Sequence, residues 1–213
     1  MNKLLLTSTI DVGNCFNLNR KDFNTRLLDY KKTLNRYLKE TDLKLIFIDN
    51  SIESVKELFN DICDVFDNRI EFISYKGNSN VNIYGKGHGE RDSIIYALNN
   101  STLLKNESFF YKISGRYYSP DIYHFIKTID TNKFLSVNSL KHNENNILTV
   151  FFGCNIQKFK CFFSDLKISD NSNIIEKAFS NFVDTIPTEN VFWLPQLTYE
   201  DTMCSNNIPF LKG

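Results

Sequence analysis

The sequence predicts an α/β fold in which a mainly parallel sheet is flanked by helices and the C-terminal half is mixed. Three observations carry that expectation. Short apolar runs at residues 3–10, 43–49 and 70–75 alternate with longer segments of helical apolar spacing, the order of a sheet whose strands are joined by right-handed crossovers and covered on both faces. Hydrophobic residues at 42%, with 19 Phe and 10 Tyr in 213 residues, supply enough apolar surface for a substantial core. Residues 85–118 gather glycines, cations and a carboxylate around a helix start and a strand end, and in such sheets ligands sit beyond the carboxyl ends of the strands.

The first run, KLLLTSTI at 3–10, turns polar at its end, as a buried parallel strand does when its tip lines a crevice. In residues 21–40 Phe23, Leu27, Tyr30, Leu34 and Leu38 recur at helical spacing and cations fill the other faces. Most of those cations are a solvated face, whereas Arg20 and Arg26 lie close enough to the helix start to reach the tip of the first strand. LKLIFID at 43–49 is the second strand, and Ser51 caps a helix whose apolar face is Ile52, Val55, Leu58, Phe59, Ile62 and Phe66. IEFISY at 70–75 is the third strand. GKGHGE at 85–90 reads as a flexible loop, followed by a helix with Ile94, Ala97, Leu98 and Ser101 on one face. An aromatic strand, FFY at 109–111, then ends in KISGRY at 112–117.

Past Tyr118 the pattern is mixed. A helix at 121–129 follows Ser119-Pro120, strands are expected at 134–137, 148–152 and 191–194, and a helix at 173–183. The run FKCFF at 159–163 fits a strand or a helix, and the end of the chain reads as an irregular tail. No internal repeat divides the chain, so residues 1–213 are expected to form one domain with halves at 1–118 and 119–213.

Composition removes several classes of function. The 25 Lys and Arg balance the 25 Asp and Glu, so no global basic field points to nucleic acid. Cys15, Cys63, Cys154, Cys161 and Cys204 are an odd, widely spaced set, which fits reduced thiols better than a disulfide framework. With three scattered histidines they also lack the spacing of a zinc site. Leu4-Leu5-Leu6 is too short a run for a signal peptide or a membrane span. A cytoplasmic location is the expectation.

The chemistry concentrates in 85–118. Gly85, Gly87 and Gly89 permit close backbone approach, and the amides of a helix start favour an anion. The spacing GxGxG is neither a dinucleotide fingerprint nor a P-loop, and a carboxylate at Glu90 occupies the place an anion would take. Glu90 therefore either accepts hydrogen bonds from ligand hydroxyls or pairs with Lys112 or Arg116. Lys112 and Arg116, at the expected strand tip, suit a pyrophosphate, with an internal ion pair to Glu90 or Asp121 as the structural alternative. Tyr117 and Tyr118 either stack on a ligand or pack in the core.

The succession LLLTSTI, IFIDNS, GKGHGERDSIIYAL and FYKISGRYY resembles bacterial glycosyltransferases of capsule, lipopolysaccharide and other surface-glycan loci, whose strings are similar to KGxGE and KITGRY. The likeness covers roughly the first 120 residues. It implies a GT-A-like fold, a nucleotide-sugar-binding half at 1–118 and an acceptor-side half at 119–213. It also implies a cytoplasmic enzyme, at the inner face of the membrane if its acceptor is there, that moves a sugar from a nucleotide-diphosphate donor to a glycan or lipid-linked acceptor. On that basis Glu176, Arg116 and Glu90 are expected to be catalytic. Thr7, Thr9, Asp49, Asn50, Lys86, Gly87, Gly89, Lys112, Gly115 and Tyr117 are expected to bind the nucleotide sugar.

Many members of that fold end the corresponding strand in an Asp-x-Asp that holds a divalent metal. Here Ser114-Gly115-Arg116 stands in its place and no Asp-x-Asp occurs anywhere in the chain. No cofactor is expected, with magnesium or manganese left as an option, and Arg116, Lys112 and Lys86 are expected to neutralise the leaving diphosphate. Candidates for the base that deprotonates an acceptor hydroxyl are Glu90, Asp121, Asp165 and Glu176. Lys158, Lys160 and Lys167 around Phe159, Phe162 and Phe163 fit either a peripheral membrane contact or a buried aromatic cluster with exposed lysines. Two other functions stay open: a sugar-phosphate nucleotidyltransferase, which would place its glycine-rich loop straight after the first strand, and a non-catalytic carbohydrate- or nucleotide-binding module.

Overall fold

A computed structural model describes residues 2–13, 20–77, 81–138, 141–143, 146–169, 174–195 and 197–199. The strands are β1 (Lys3–Ser8), β2 (Lys44–Asp49), β3 (Ile70–Ser74), β4 (Phe109–Ser114), β5 (Ser136–Asn138), β6 (Lys141–Asn143), β7 (Asn146–Ile147), β8 (Phe151–Asn155) and β9 (Val191–Trp193). The helices are α1 (Phe23–Glu40), α2 (Asn60–Phe66), α3 (Val81–Tyr84), α4 (Lys86–Asn100), α5 (Pro120–Thr128), α6 (Ile156–Phe163) and α7 (Ile175–Asp184).

Among the described residues seven strands form one sheet in the order β3-β2-β1-β4-β8-β5-β9, and β6 and β7 form a separate ribbon. The pairs β1–β2, β2–β3, β1–β4 and β5–β9 are parallel, while β8 runs antiparallel to both β4 and β5. One reversed strand in a parallel sheet is the mainly parallel architecture with a mixed second half that the sequence predicts. Side-chain alternation explains the two cores. Leu4, Leu6, Leu45, Phe47, Tyr111 and Ile113 face α1, α2 and α5. Leu5, Ile46, Ile48, Phe110 and Phe152 face α4, α6 and α7.

Three local departures from expectation, and one open alternative that the structure decides, bear on the site. The helix expected from Ser51 begins later, as a 3-10 turn over Val55–Phe59 followed by α2. Asp49 is the reason, since its carboxylate accepts from the Ser51 and Ile52 amides and the Ser51 hydroxyl, and an aspartate-centred turn takes the place of the first helical turn. The expected glycine loop is helical from Lys86 onward, with Gly85 as the cap at φ 90°, a region that favours glycine. Gly87 then serves packing: a Cβ there would lie 3.0 Å from Cβ of Ile175.

The third departure is in β4, which runs three residues beyond the aromatic triplet because both neighbours pair along it, Lys112 opposite Leu5 of β1 and Phe152 of β8, Ile113 opposite Leu6 and Phe151. Lys112 therefore lies inside the strand, not at its tip. Finally, the ambiguous aromatic run is helix α6, capped by the Asn155 side chain accepting from the Lys158 amide. Phe159 and Phe163 are core residues and Phe162 is half-buried, with Lys158 and Lys167 exposed and Lys160 half-buried around them, as in the buried aromatic cluster that is one of the two expectations. The expected strands at 134–137 and 148–152 settle at β5 and β8.

Among the described residues no helix is long and apolar enough to cross a membrane. Cys63 and Cys154 are buried free thiols and Cys161 is exposed. Cys15, Cys204 and the expected tail from residue 200 lie outside the described residues.

Candidate functional site

A cavity of about 320 Å³ opens where the parallel strands end, bounded by the exits of β1, β2 and β4, the starts of α1, α4 and α7, and the approach to β8. Backbone geometry brings β1 and β4 together there. Thr7 pairs with Ser114, and the Gly115 amide donates to the Thr7 carbonyl at 2.8 Å. A Cβ on residue 115 would meet that carbonyl oxygen at 2.8 Å and the Tyr30 ring at 3.2 Å, so this turn accepts only glycine without a shift.

On the β1 side, Arg26 is buried, and its guanidinium is spent on oxygens of the chain. Nε and Nη2 donate to the Thr9 carbonyl at 2.8 and 2.5 Å, Nη1 to the Arg20 carbonyl at 3.1 Å, and Nη2 also to the Tyr30 hydroxyl at 3.2 Å. No carboxylate among the described residues pairs with it, so its charge adds positive potential to the cavity it borders. Asn50 is tied to the same wall, its Oδ1 accepting from the Thr9 hydroxyl at 2.7 Å.

Asp49, expected beside Asn50 at the ligand, is wholly buried and does not border the cavity. Its five hydrogen bonds, from Ser8 Oγ, the Ile10, Ser51 and Ile52 amides and Ser51 Oγ, saturate the carboxylate and hold the tips of β1 and β2 in register. Thr7 and Thr9 do border the cavity.

On the β4 side, the two cations read from sequence part company. Lys112 is fully buried; its Nζ pairs with Glu90 Oε1 and donates to Thr149 O at 2.7 Å and Ser114 Oγ at 3.1 Å. An ammonium has three protons, and all three are taken. Lys112 thus has no donor left for a diphosphate, which corrects the expectation placed on it. Arg116, half-buried at the cavity wall, makes no hydrogen bond or ion pair with a described residue. Tyr117, next in the chain, is buried, packs edge-on against Tyr199 and borders the cavity. Tyr118 packs on Tyr37 and Arg36 and donates to Glu40, in the core away from the cavity.

Glu90, Lys86 and Glu176 share the remaining rim. The close contact of Gly87 with Ile175 explains how Glu176, one residue further along α7, comes beside the start of α4. Gly87 and Gly89 themselves are buried, and Gly89 contributes its carbonyl to Ser93 Oγ at 2.7 Å and Asn50 Nδ2 at 3.4 Å. Of the four candidate bases, Glu90 and Glu176 border the cavity. Asp121 instead accepts from the Thr198 amide at 2.9 Å, and Asp165 is an exposed residue away from the cavity.

At the turn after β4, where the resemblance implies a metal-holding Asp-x-Asp, the structure sets the Ser114 hydroxyl, the Gly115 backbone and the Arg116 guanidinium. One hydroxyl and one cation do not fit a divalent ion, which takes oxygen donors, mostly carboxylates and waters. Of the lining residues, Ser93 could be read from the sequence, standing three positions after Glu90 on one helix face. Thr149 and Val150 could not: only the antiparallel return of β8 brings them there.

The fold is a GT-A-like α/β domain, and solved structures similar to this chain bear the fold out. No family model and no curated protein sequence matches the chain. Among solved structures, it is similar to the mannosyltransferase PcManGT from Pyrobaculum calidifontis, solved with GDP-Man and Mn2+, at TM-score 0.56 and 9% identity over 91% of this chain and 54% of that one. The glycosyltransferase GlyE of Streptococcus pneumoniae TIGR4 is similar at TM-score 0.56 and 12% identity, over 91% of this chain and 45% of that one. The inositol-1-phosphate CTP transferase from T. maritima has TM-score 0.53 and 12% identity, over 93% of this chain and 88% of that one. The chain thus spans about half the length of the two glycosyltransferases, and the fold is shared with nucleotidyltransferases too.

Proposed function

We propose that this chain is a glycosyltransferase that moves a sugar from a nucleotide-diphosphate donor to a glycan or lipid-linked acceptor in surface polysaccharide synthesis, without an Asp-x-Asp-bound metal. The observation that carries the reading is Arg116: a guanidinium with no partner among the described residues, at the mouth of a GT-A-like sheet, where a metal-binding pair would otherwise stand. A planar guanidinium matches two phosphate oxygens at once and carries its charge at any physiological pH. The charge of Arg26, which no carboxylate among the described residues pairs with, adds to the field behind the same wall, and Lys86 is placed to contribute from the rim.

In the reaction so proposed, the acceptor oxygen forms a bond to the anomeric carbon as the bond from that carbon to the diphosphate breaks. The electron pair leaves with the nucleoside diphosphate, whose growing charge Arg116 stabilises more in the transition state than in the ground state. The acceptor's proton passes to a carboxylate. Glu176, which borders the cavity from the acceptor-side half, is assigned that role.

A thermal-shift screen against uridine, guanosine, thymidine and cytidine diphosphates and their hexose conjugates, with and without manganese, tests the reading. One of these ligands at a hundred times its dissociation constant is expected to add about 2.7 kcal/mol of stability without metal. Hydrolysis or transfer of the hexose conjugate, absent in Arg116→Ala, separates a transferase from a binding module. Binding of a nucleoside triphosphate and a sugar phosphate with release of pyrophosphate would favour the nucleotidyltransferase that the T. maritima likeness allows.

A further inference from the structure

The Lys112–Glu90 pair lies directly under the cavity and has more structure than an ion pair needs. Its ammonium grips three separate walls at once: α4 through Glu90, the end of β4 through Ser114, and the approach to β8 through Thr149. All three of these partners border the cavity, while Lys112 itself is sealed from it. The carboxylate is used on one side only. Oε1 is on Lys112; Oε2 has no hydrogen-bond partner among the described residues, and the Glu90 side chain keeps 22% of its surface open. A carboxylate accepts up to four hydrogen bonds, so Glu90 presents unspent acceptor capacity to the cavity.

We infer that Glu90 is the group that recognises hydroxyls of the transferred sugar, and that Lys112 is the positioning residue that aims its free oxygen at them. The inference rests on the glycosyltransferase reading above. An anion cannot occupy the space against Oε2, because two negative charges would meet there with Lys112 already spent. What fits is a hydrogen-bond donor or a cation; the nucleotide sugar itself carries no cation, and its neutral donors beyond the diphosphate are the sugar hydroxyls. The cavity therefore has a polarity. The phosphates lie toward Arg116, at the strand tips, and the sugar lies toward Glu90 and Ser93, along the first turns of α4. Sites built to hydrogen-bond a substrate hydroxyl discriminate strongly against analogues that lack it.

The test compares two affinities in each variant: that of the nucleoside diphosphate chosen by the screen, and that of its hexose conjugate, together with a set of monodeoxy-hexose conjugates. In Glu90→Gln, the amide oxygen stays on the Lys112 ammonium and an NH2 turns toward the ligand, which replaces an acceptor by a donor. The hexose conjugate is expected to bind about 10- to 100-fold more weakly, the size of one charge-assisted hydrogen bond, with the bare diphosphate unchanged. The wild type should discriminate against one or two monodeoxy conjugates, and Glu90→Gln should not. Lys112→Met should lower the ratio of the two affinities by the same factor, and the double variant Lys112→Met/Glu90→Gln should lower it no further. Since the double variant leaves no unpaired buried charge, it keeps the comparison available if Lys112→Met alone does not fold. Equal weakening of the diphosphate and its conjugate, or no change in either, would overturn the inference while leaving the glycosyltransferase reading in place. A wild type that binds no nucleoside diphosphate at all removes the reading beneath it, which is a different result.

Discussion

Lys112 and Arg116 stand four residues apart on one strand and the turn that leaves it, and the protein uses them in opposite ways. Lys112 is enclosed, with every donor committed to Glu90, Ser114 and Thr149. Arg116 faces the cavity with no partner in the described protein. One cation builds the site and the other is left for what enters it. The lesson is that a cation near a strand end identifies a ligand contact only when its own hydrogen-bonding capacity is unspent, a count that needs the neighbours from other strands.

The largest effect expected from breaking this contrast is on the enclosed side. Lys112→Met strands the Glu90 charge and empties three hydrogen bonds, and is expected to cost about 3–5 kcal/mol in chemical denaturation. The double variant with Glu90→Gln should recover most of that. On the open side, Arg116→Ala is expected to leave stability within about 0.5 kcal/mol while lowering turnover by about 100- to 1000-fold, roughly 2.7–4 kcal/mol in the barrier. If Arg116→Ala unfolds the protein and Lys112→Met does not, the two assignments are reversed.

The glycine between them comes next. A Cβ on residue 115 meets the Thr7 carbonyl at 2.8 Å, so Gly115→Ala is expected to destabilise by about 1–3 kcal/mol through forced backbone movement and to weaken ligand binding along with stability. The smallest effect sharpens the contrast from outside the cavity. Glu71, on β3, is another carboxylate committed to structure, accepting from Ser101 Oγ, the Thr102 amide and hydroxyl and the Leu103 amide. Burial raises its pKa, yet these hydrogen bonds outweigh burial and hold it below the ordinary 4.5. A lowered folded-state pKa means the stabilisation is complete above the unfolded value and is lost as pH falls through the folded one. Glu71→Gln is therefore expected to cost about 1.5 kcal/mol at pH 7, and the gap between variant and wild type should close as unfolding is measured below pH 4.5. A gap that persists in acid would show that shape, not charge, is what Glu71 provides.

Much of the fold was legible because its signals are local. Apolar runs at β1, β2 and β3 and the helical spacing of α1 need no partner to be recognised. The cavity residues at strand exits, Thr7, Thr9, Asn50, Gly115 and Arg116, followed from the rule that such sheets bind beyond their carboxyl ends. Asp49 satisfied the same rule and yet is sealed in the core, because five donors converge on it from two chain segments. The glycines of GKGHGE looked like a cradle for phosphate. At residue 87 the space they leave is filled by α7, a helix that lies almost ninety residues further along the chain.

By itself, then, the sequence determined the alternation of strands and helices, the two buried faces of the sheet and the stretch in which polar chemistry gathers. Each of these follows from periodicity and propensity within a few residues. Only the tertiary structure decided which polar groups are spent and which are free. Pairing with β1 on one side and the antiparallel return of β8 on the other extend β4 past Lys112 and enclose it, while the Gly115 turn releases Arg116 into the cavity. Hydrogen-bond saturation is a property of where strands and loops meet, and residues 112, 90 and 149 meet only in the folded chain.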